Sequence, residues 1–264
     1  MQVSSLGFRS DLMLRRLAGS TIAARGGCLV VHTPKNPDYW WGNFLLLPGP
    51  VEAVAVEMWE TMFVREFPDA VHRAFGIDGT DGQAGDPDAL AALGVETEVS
   101  TVLTATSADL SGFDASGSAY RPLKSDADWE QLIDLNLTCD DKFADTAMHR
   151  DFVRRKRDET RTLVDAGHGA WFGAFTGEEL VAGLGIFSDG SGLARYQNVE
   201  THPAHRRRGH ARRLLHAAGR YAGSELGAHT LVIVADPDYH AIGLYQSVGF
   251  VAAERQVQLQ KRAY

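Results

Sequence analysis

The sequence predicts an α/β protein, of the α+β kind, in which a mixed β-sheet is flanked by helices. Three observations carry that reading. Strand-length apolar or β-branched runs alternate with helix-length amphipathic runs along the whole chain. Thr230–Ala235 (TLVIVA) is a continuous apolar run, the pattern of a strand covered on both faces. Residues 193–226 read as a strand, a tight basic turn and an amphipathic helix in immediate succession.

The 264 residues, 44% of them hydrophobic, suffice for one large or two ordinary domains with real cores. No apolar run reaches the length of a membrane span. The opening residues, MQVSSLGFRSDLMLRRL, are amphipathic and lack the apolar core and cleavage site of a signal peptide. The expected location is therefore the cytoplasm, with no membrane partner. The formal net charge of −8 is uneven: residues 1–119 hold seven Lys/Arg against fifteen Asp/Glu, and the remainder holds nineteen of each. An acidic half argues against nucleic acid as a partner, and it makes the Arg206–Arg208 cluster an exception in its own chain. Cys28 and Cys139 are too few for a disulfide framework or a zinc site. Cys28 opens an apolar run, and the acidic residues after Cys139 disfavour a thiolate.

In chain order, residues 1–25 read as one or two helices anchored by Leu12, Leu14 and Leu17. Strands follow at 26–32 and 44–47, with Tyr39, Trp40 and Trp41 between them as pocket lining or as a packed core edge. Residues 51–66 are expected as a helix burying Val54, Met58, Met62 and either Val64 or Phe67. A strand at 71–77, a Gly/Asp-rich loop, a short helix at 89–93 and a β-branched strand at 97–106 come next. The Gly/Ser-rich stretch 107–118 reads as a linker. Two domains are thus expected, 1–118 and 119–264. In the second, a strand at 120–123 precedes a helix capped by Ser125, with Asp126 and Asp128 in its first turn. Residues 141–166 form a charged helix in which Arg154, Arg155, Lys156 and Arg157 read as a solvated face. Strands at 169–176 and 180–188 pair across a turn. The central strand, the basic turn and its helix follow, then strand 230–235, a helix at 239–248 and a final strand at 250–260.

The basic turn carries the chemistry. A helix that opens directly from a turn presents backbone N–H groups with no partner inside the helix, at the positive end of its dipole. Those groups bind anions. Gly209 removes a side chain where backbone must approach a ligand, and Arg206, Arg207 and Arg208 add donors suited to phosphate. Neither G-x-x-x-x-G-K-[ST] nor G-x-G-x-x-G is present. On the residues alone the turn is either a phosphate site or a solvated basic loop.

Arg206-Arg207-Arg208-Gly209-His210-Ala211 matches the [RQ]-x-x-G-x-[GA] loop of the GCN5-related N-acetyltransferases (GNAT), and residues 241–250, AIGLYQSVGF, resemble that family's A-x-x-L-Y-x-x-x-G-F signature. The resemblance covers 119–264 and implies a GNAT-type mixed sheet there. It implies acetyl-CoA, or another short acyl-CoA, as cosubstrate, with no metal, and a small-molecule or peptide amine as acceptor. Val199, Glu200 and Thr201 would line the thioester, and the amides of residues 207–212, with Arg206 to Arg212 around them, would hold the diphosphate. Tyr245 stands where the family places the acid that protonates the leaving thiolate; on spacing alone it is equally a packed core residue. Glu200 is a candidate base beside His202 and His205, and a water chain is the alternative. Asp238 either contacts the cofactor arm or caps the following helix. The order of elements in 1–118 resembles a second, degenerate copy of the fold, with Leu90 and Gly94 echoing the signature. There Pro48-Gly49-Pro50 stands where the loop would be, and prolines lack the N–H donors of a diphosphate cradle. A homodimer is one assembly open to such a chain. The competing functions are a catalytically silent CoA-binding sensor or scaffold, and a nucleic-acid binder using Arg206–Arg208. The acidic first half favours a cationic acceptor, an amine or aminoglycoside-like molecule.

Overall fold

The computed structural model describes residues 1–110, 120–140, 146–238 and 241–262. In chain order the elements are α1 (Leu6–Leu17), β1 (Thr21–Arg25), β2 (Cys28–His32), β3 (Phe44–Leu47), α2 (Val56–Glu66), β4 (His72–Ile77), α3 (Pro87–Leu93) and β5 (Glu96–Ala105). They continue as β6 (Tyr120–Pro122), α4 (Asp126–Cys139), α5 (Ala147–Asp165), β7 (Gly169–Thr176), β8 (Glu179–Ser188), β9 (Leu193–Thr201), α6 (His210–Glu225), β10 (Thr230–Ala235), α7 (Ala241–Val248) and β11 (Val251–Arg262). No helix among the described residues is long and apolar enough to cross a membrane.

Contacts divide the chain into two units, 1–103 with 234–242 and 252–264, and 104–233 with 243–251. The boundary expected at 118/119 lies outside the described residues. The units do not follow one cut, because β11 pairs antiparallel with β4 and so joins the first unit's sheet.

In the first unit β1–β2 and β2–β3 are antiparallel, β3–β4 is parallel, and β11 lies between β4 and β5. The expected N-terminal helical region ends at Leu17. Residues 21–25 form a strand instead, because Gly26 and Gly27, both at positive φ, close a two-residue hairpin onto β2. The helix expected at 51–66 starts at Val56 after a short 3-10 turn, and its buried face is Trp59, Met62 and Phe63. Val54 is 89% exposed, and Met58 and Val64 are also outside the core. The aromatic trio packs rather than lining a cleft: Trp40 stacks on buried His72, and Trp41 Nε1 donates to Gln260 at 3.1 Å. The amides that open α1 are taken by the chain's own carboxylates. Asp78 accepts from Ser4 and Ser5, and Glu254 on β11 accepts from Leu6 at 2.8 Å.

In the second unit the order is β10-β9-β8-β7-β6, with β10 and β9 parallel and the other pairs antiparallel. Successive residues of β7 point to opposite faces. Trp171 lies over Gly183 and Gly185 on the face that carries α4 and α5, while the Phe172 ring meets Tyr221 of α6. The core therefore has α4 and α5 on one side of the sheet and α6 on the other.

α4 begins as its sequence requires. Ser125 and Asp128 form a reciprocal capping box. Asp128 is buried and also takes two hydrogen bonds from the Arg121 guanidinium, at 2.7 and 2.8 Å. Arg121 thus holds the Asp128 carboxyl well below the usual carboxylate range. Because the folded-state value is depressed, the contribution is complete above the unfolded value near ~4 and is lost as pH falls toward the folded one. Asp128→Asn should therefore lower stability at neutral pH by about 1–2 kcal/mol through the lost cap and pair. Denaturant titrations at pH 7 and at pH 3 should show the gap between the variant and the native chain narrowing at the lower pH.

Candidate active site

β9 is irregular where the site is built. Gly185 pairs with Gln197 and Gly183 with Glu200, so β9 spends one more residue than β8 over this span. Asn198, at φ 44°, is the left-handed residue of this bulge. Regular alternation would put Glu200 on the face opposite Gln197. The bulge rotates it onto the same face, over the glycines that adjoin Trp171 and toward α4 and α5.

There Glu200 meets buried polar neighbours. The Asn136 amide on α4 donates to Glu200 Oε2. Arg157 on α5 lies with its guanidinium carbon 4.5 Å from the centre of the Trp171 ring and is 4% exposed. Burial raises the Glu200 pKa above the ordinary glutamate value, opposed by the Arg157 charge and the Asn136 hydrogen bond. Burial likewise pulls the Arg157 pKa down, opposed by Glu200. The Cys139 thiol at the end of α4 is pushed up to about 11 by burial and by Glu200, with Arg206 pulling it back. Arg157 is a correction to the solvated face expected over 154–157. Arg154 does face solvent, paired with Glu130, but Arg157 falls on the inner stripe one turn after buried Val153.

The loop after β9 is tied at both ends. Arg206 Nε donates to Thr201 O at 3.2 Å, and the His202 side chain caps the short 3-10 turn Pro203–His205. Arg207 (φ 62°) and Gly209 (φ 80°) are both left-handed, and Gly209 is the N-cap of α6. Left-handed residues in such a turn aim successive N–H groups into one concavity. The first-turn amides of α6 have no carbonyl ahead of them within the helix, and Gly209 supplies no side chain to cap them. A Cβ at Gly209 would meet nothing closer than Arg213 Nη1 at 3.5 Å. Its glycine is therefore required first by φ rather than by crowding. Arg206, Arg207 and Arg208 are exposed around this turn. His210 is held at the helix start through Nδ1 and the Tyr120 hydroxyl, 3.1 Å apart. Burial lowers the His210 pKa, and His205, Arg213 and Arg208 lower it further. The donor set fits a diphosphate: main-chain N–H groups at a helix start, ringed by exposed guanidinium groups.

Arg212 Nη2 donates to Ser247 O at 3.1 Å, which brings the end of α7 against the first turn of α6. Tyr245 on α7 is 5% exposed and packs at 6.5 Å from the Phe250 ring, itself 5.7 Å from Tyr196. Val199, Glu200 and Thr201 are half-buried along the strand end. Asp238 is exposed, its amide donating to Asp236 in a tight turn; residues 239 and 240 are not described. The place in the first unit that follows β3 has no comparable donors. Pro48 and Pro50 lack N–H, and the Val51 amide is taken by Ala84 O.

Residues 129–250 match the model of the Acetyltransferase (GNAT) family. A search of curated proteins gave no match. Among solved structures, a functionally unknown conserved protein from Staphylococcus epidermidis is 12% identical with a TM-score of 0.73, over 94% of this chain and 96% of that one. A GCN5-related N-acetyltransferase from Kribbella flavida is 16% identical with a TM-score of 0.68, over 97% and 96%. A tandem GNAT protein from the clavulanic acid biosynthesis pathway is 17% identical with a TM-score of 0.56, over 80% of this chain and 68% of that one. These likenesses are to the fold.

Gly209→Glu places an anion and a strained φ in the cradle. It should abolish CoA binding by calorimetry while leaving helix content unchanged. Gly209→Ala, strained by about 1 kcal/mol, should weaken binding several-fold. Unchanged affinity in Gly209→Glu would remove the cradle.

Proposed function

We propose that this chain transfers an acetyl group from acetyl-CoA to a primary amine by direct attack, with both substrates bound together. The observation that carries the reading is the left-handed pair Arg207 and Gly209 opening α6 immediately after a bulged strand that ends in Glu200. Acetyl-CoA, when bound, supplies a thioester carbon open to a nitrogen nucleophile. Amides of 207–212 hold the diphosphate, and the β9 edge at Val199–Thr201 sets the thioester beside Glu200. Glu200 takes a proton from the ammonium, directly or through water, so that the amine attacks neutral. The C–N bond forms as the C–S bond breaks, the Tyr245 phenol protonates the departing sulfur, and the second proton released by the acylated nitrogen restores the phenol through solvent. The first unit serves as a degenerate copy that does not hold CoA, as its committed Val51 amide and two prolines support.

A second reading is a CoA-binding module without turnover, favoured by the depth at which Tyr245 is packed. Tyr245→Phe separates the two. On the catalytic reading it lowers kcat by tenfold or more with unchanged CoA affinity, measured by thiol release over a panel of amines. On the silent reading the native chain binds CoA and releases no thiol with any of them.

Glu200 adds a pH test. Its raised pKa means that the base form appears only above the ordinary glutamate range. The rate should therefore rise with pH through an apparent pKa above ~4.3, and Glu200→Gln should lose that limb along with most of kcat. An unaltered profile in the variant assigns the base elsewhere.

A further inference from the structure

Three polar atoms around Glu200 are buried without a hydrogen-bond partner among the described residues: Asn136 Oδ1, Arg157 Nε and Trp171 Nε1. Buried polar groups are nearly always satisfied, and a buried charge more so. Arg157 makes no ion pair among the described residues. It lies outside ion-pair distance of Glu200, although the two charges act on each other. These atoms are not scattered. The Arg157 guanidinium stacks on the Trp171 ring, and Trp171 Nε1 lies 3.0 Å from where a Cβ of Gly183 would stand. Gly183 is the register partner of Glu200, whose carboxylate holds Asn136. One cluster thus offers two donors, one of them cationic, beside a carboxylate and an amide oxygen.

We propose that the acceptor is an amine carrying its own carboxylate, of the free amino-acid class. Arg157 and Trp171 Nε1 hold the acceptor's carboxylate, and Glu200 and Asn136 Oδ1 take its ammonium. This rests on the acyl-transfer reading of the same site, and it replaces the purely cationic acceptor that the acidic composition favours. A polycation would leave Arg157 without a partner and add like charge beside it. A zwitterion satisfies all three orphan atoms and places its nitrogen at Glu200. Arg157 acts here in binding and orientation, so its loss should fall on acceptor KM more than on kcat.

The test uses α-amino acids, their α-amides and matched monoamines lacking the carboxylate. Each is titrated by calorimetry into the full chain in the presence of CoA, and each is assayed for thiol release with acetyl-CoA. Carboxylate-bearing members should bind at least tenfold more tightly than amides or monoamines. That preference should vanish in Arg157→Met and persist in part in Arg157→Lys. A native chain that prefers monoamines, binds none of the panel, or keeps its carboxylate preference in Arg157→Met overturns the proposal. The native-chain discrimination decides the matter even where Arg157→Met fails to fold. Thiol release with monoamines in preference to amino acids sinks this inference and leaves acetyl transfer standing. Carboxylate-selective binding without thiol release from any member does the reverse.

Discussion

The chemistry proposed for the second unit depends on one extra residue in β9. The left-handed Asn198 lets two residues three apart, Gln197 and Glu200, face the same side of the sheet. Without it the Glu200 carboxylate would lie on the α6 face, among Tyr196 and Phe172. With it the carboxylate enters the space between α4 and α5, where Asn136 and Arg157 wait. The strand end stays paired with β8 beyond the bulge, at Glu200 and Thr201, while the register with β10 covers only Leu193, Ala194 and Arg195. The loop tie from Arg206 to Thr201 O then fixes where the cradle stands relative to that end.

The cradle and the Glu200 cluster use opposite physics. At the start of α6 the functional groups are main-chain amides, exposed and ringed by exposed guanidinium groups, so the field is positive and the surroundings are wet. Around Glu200 the groups are side chains in a low-dielectric setting, where each charge is shifted toward its neutral form and each orphan donor is costly. On the proposed reading, the site of the first kind grips a hydrated diphosphate. A site of the second kind discriminates between small ligands by what they leave unsatisfied.

On the proposed reading of the first unit as a degenerate copy, its residues account for the loss of such a site. After β3 the chain offers prolines, and the next amide is bound to Ala84. The amides that open α1 are occupied by Asp78 and Glu254. Helix starts are anion sites only while nothing in the chain fills them. Here internal carboxylates do so, and they fasten β11 and the N-terminal helix together within that unit.

The sequence by itself determined the elements whose signal is local. Strand 230–235 has its apolar run, α4 its Ser125 cap, and the turn into α6 its arginines and Gly209. These rest on periodicity, capping and backbone freedom, which act within a few residues. Residues 21–25 became strand because the Gly26-Gly27 turn folds them onto β2. Local periodicity failed where a distant partner decided: α2 turned Trp59 and Phe63 inward in place of Val54. Only the tertiary structure placed Arg157, because a basic run reads as solvent-facing until the opposing Trp171 ring is known. The stripe of Val153 and Arg157, four apart on α5, was the one trace of it in the chain. The bulge at Asn198 left no such trace, since it is a mismatch of two strands in register, a property of the pair and of neither sequence alone.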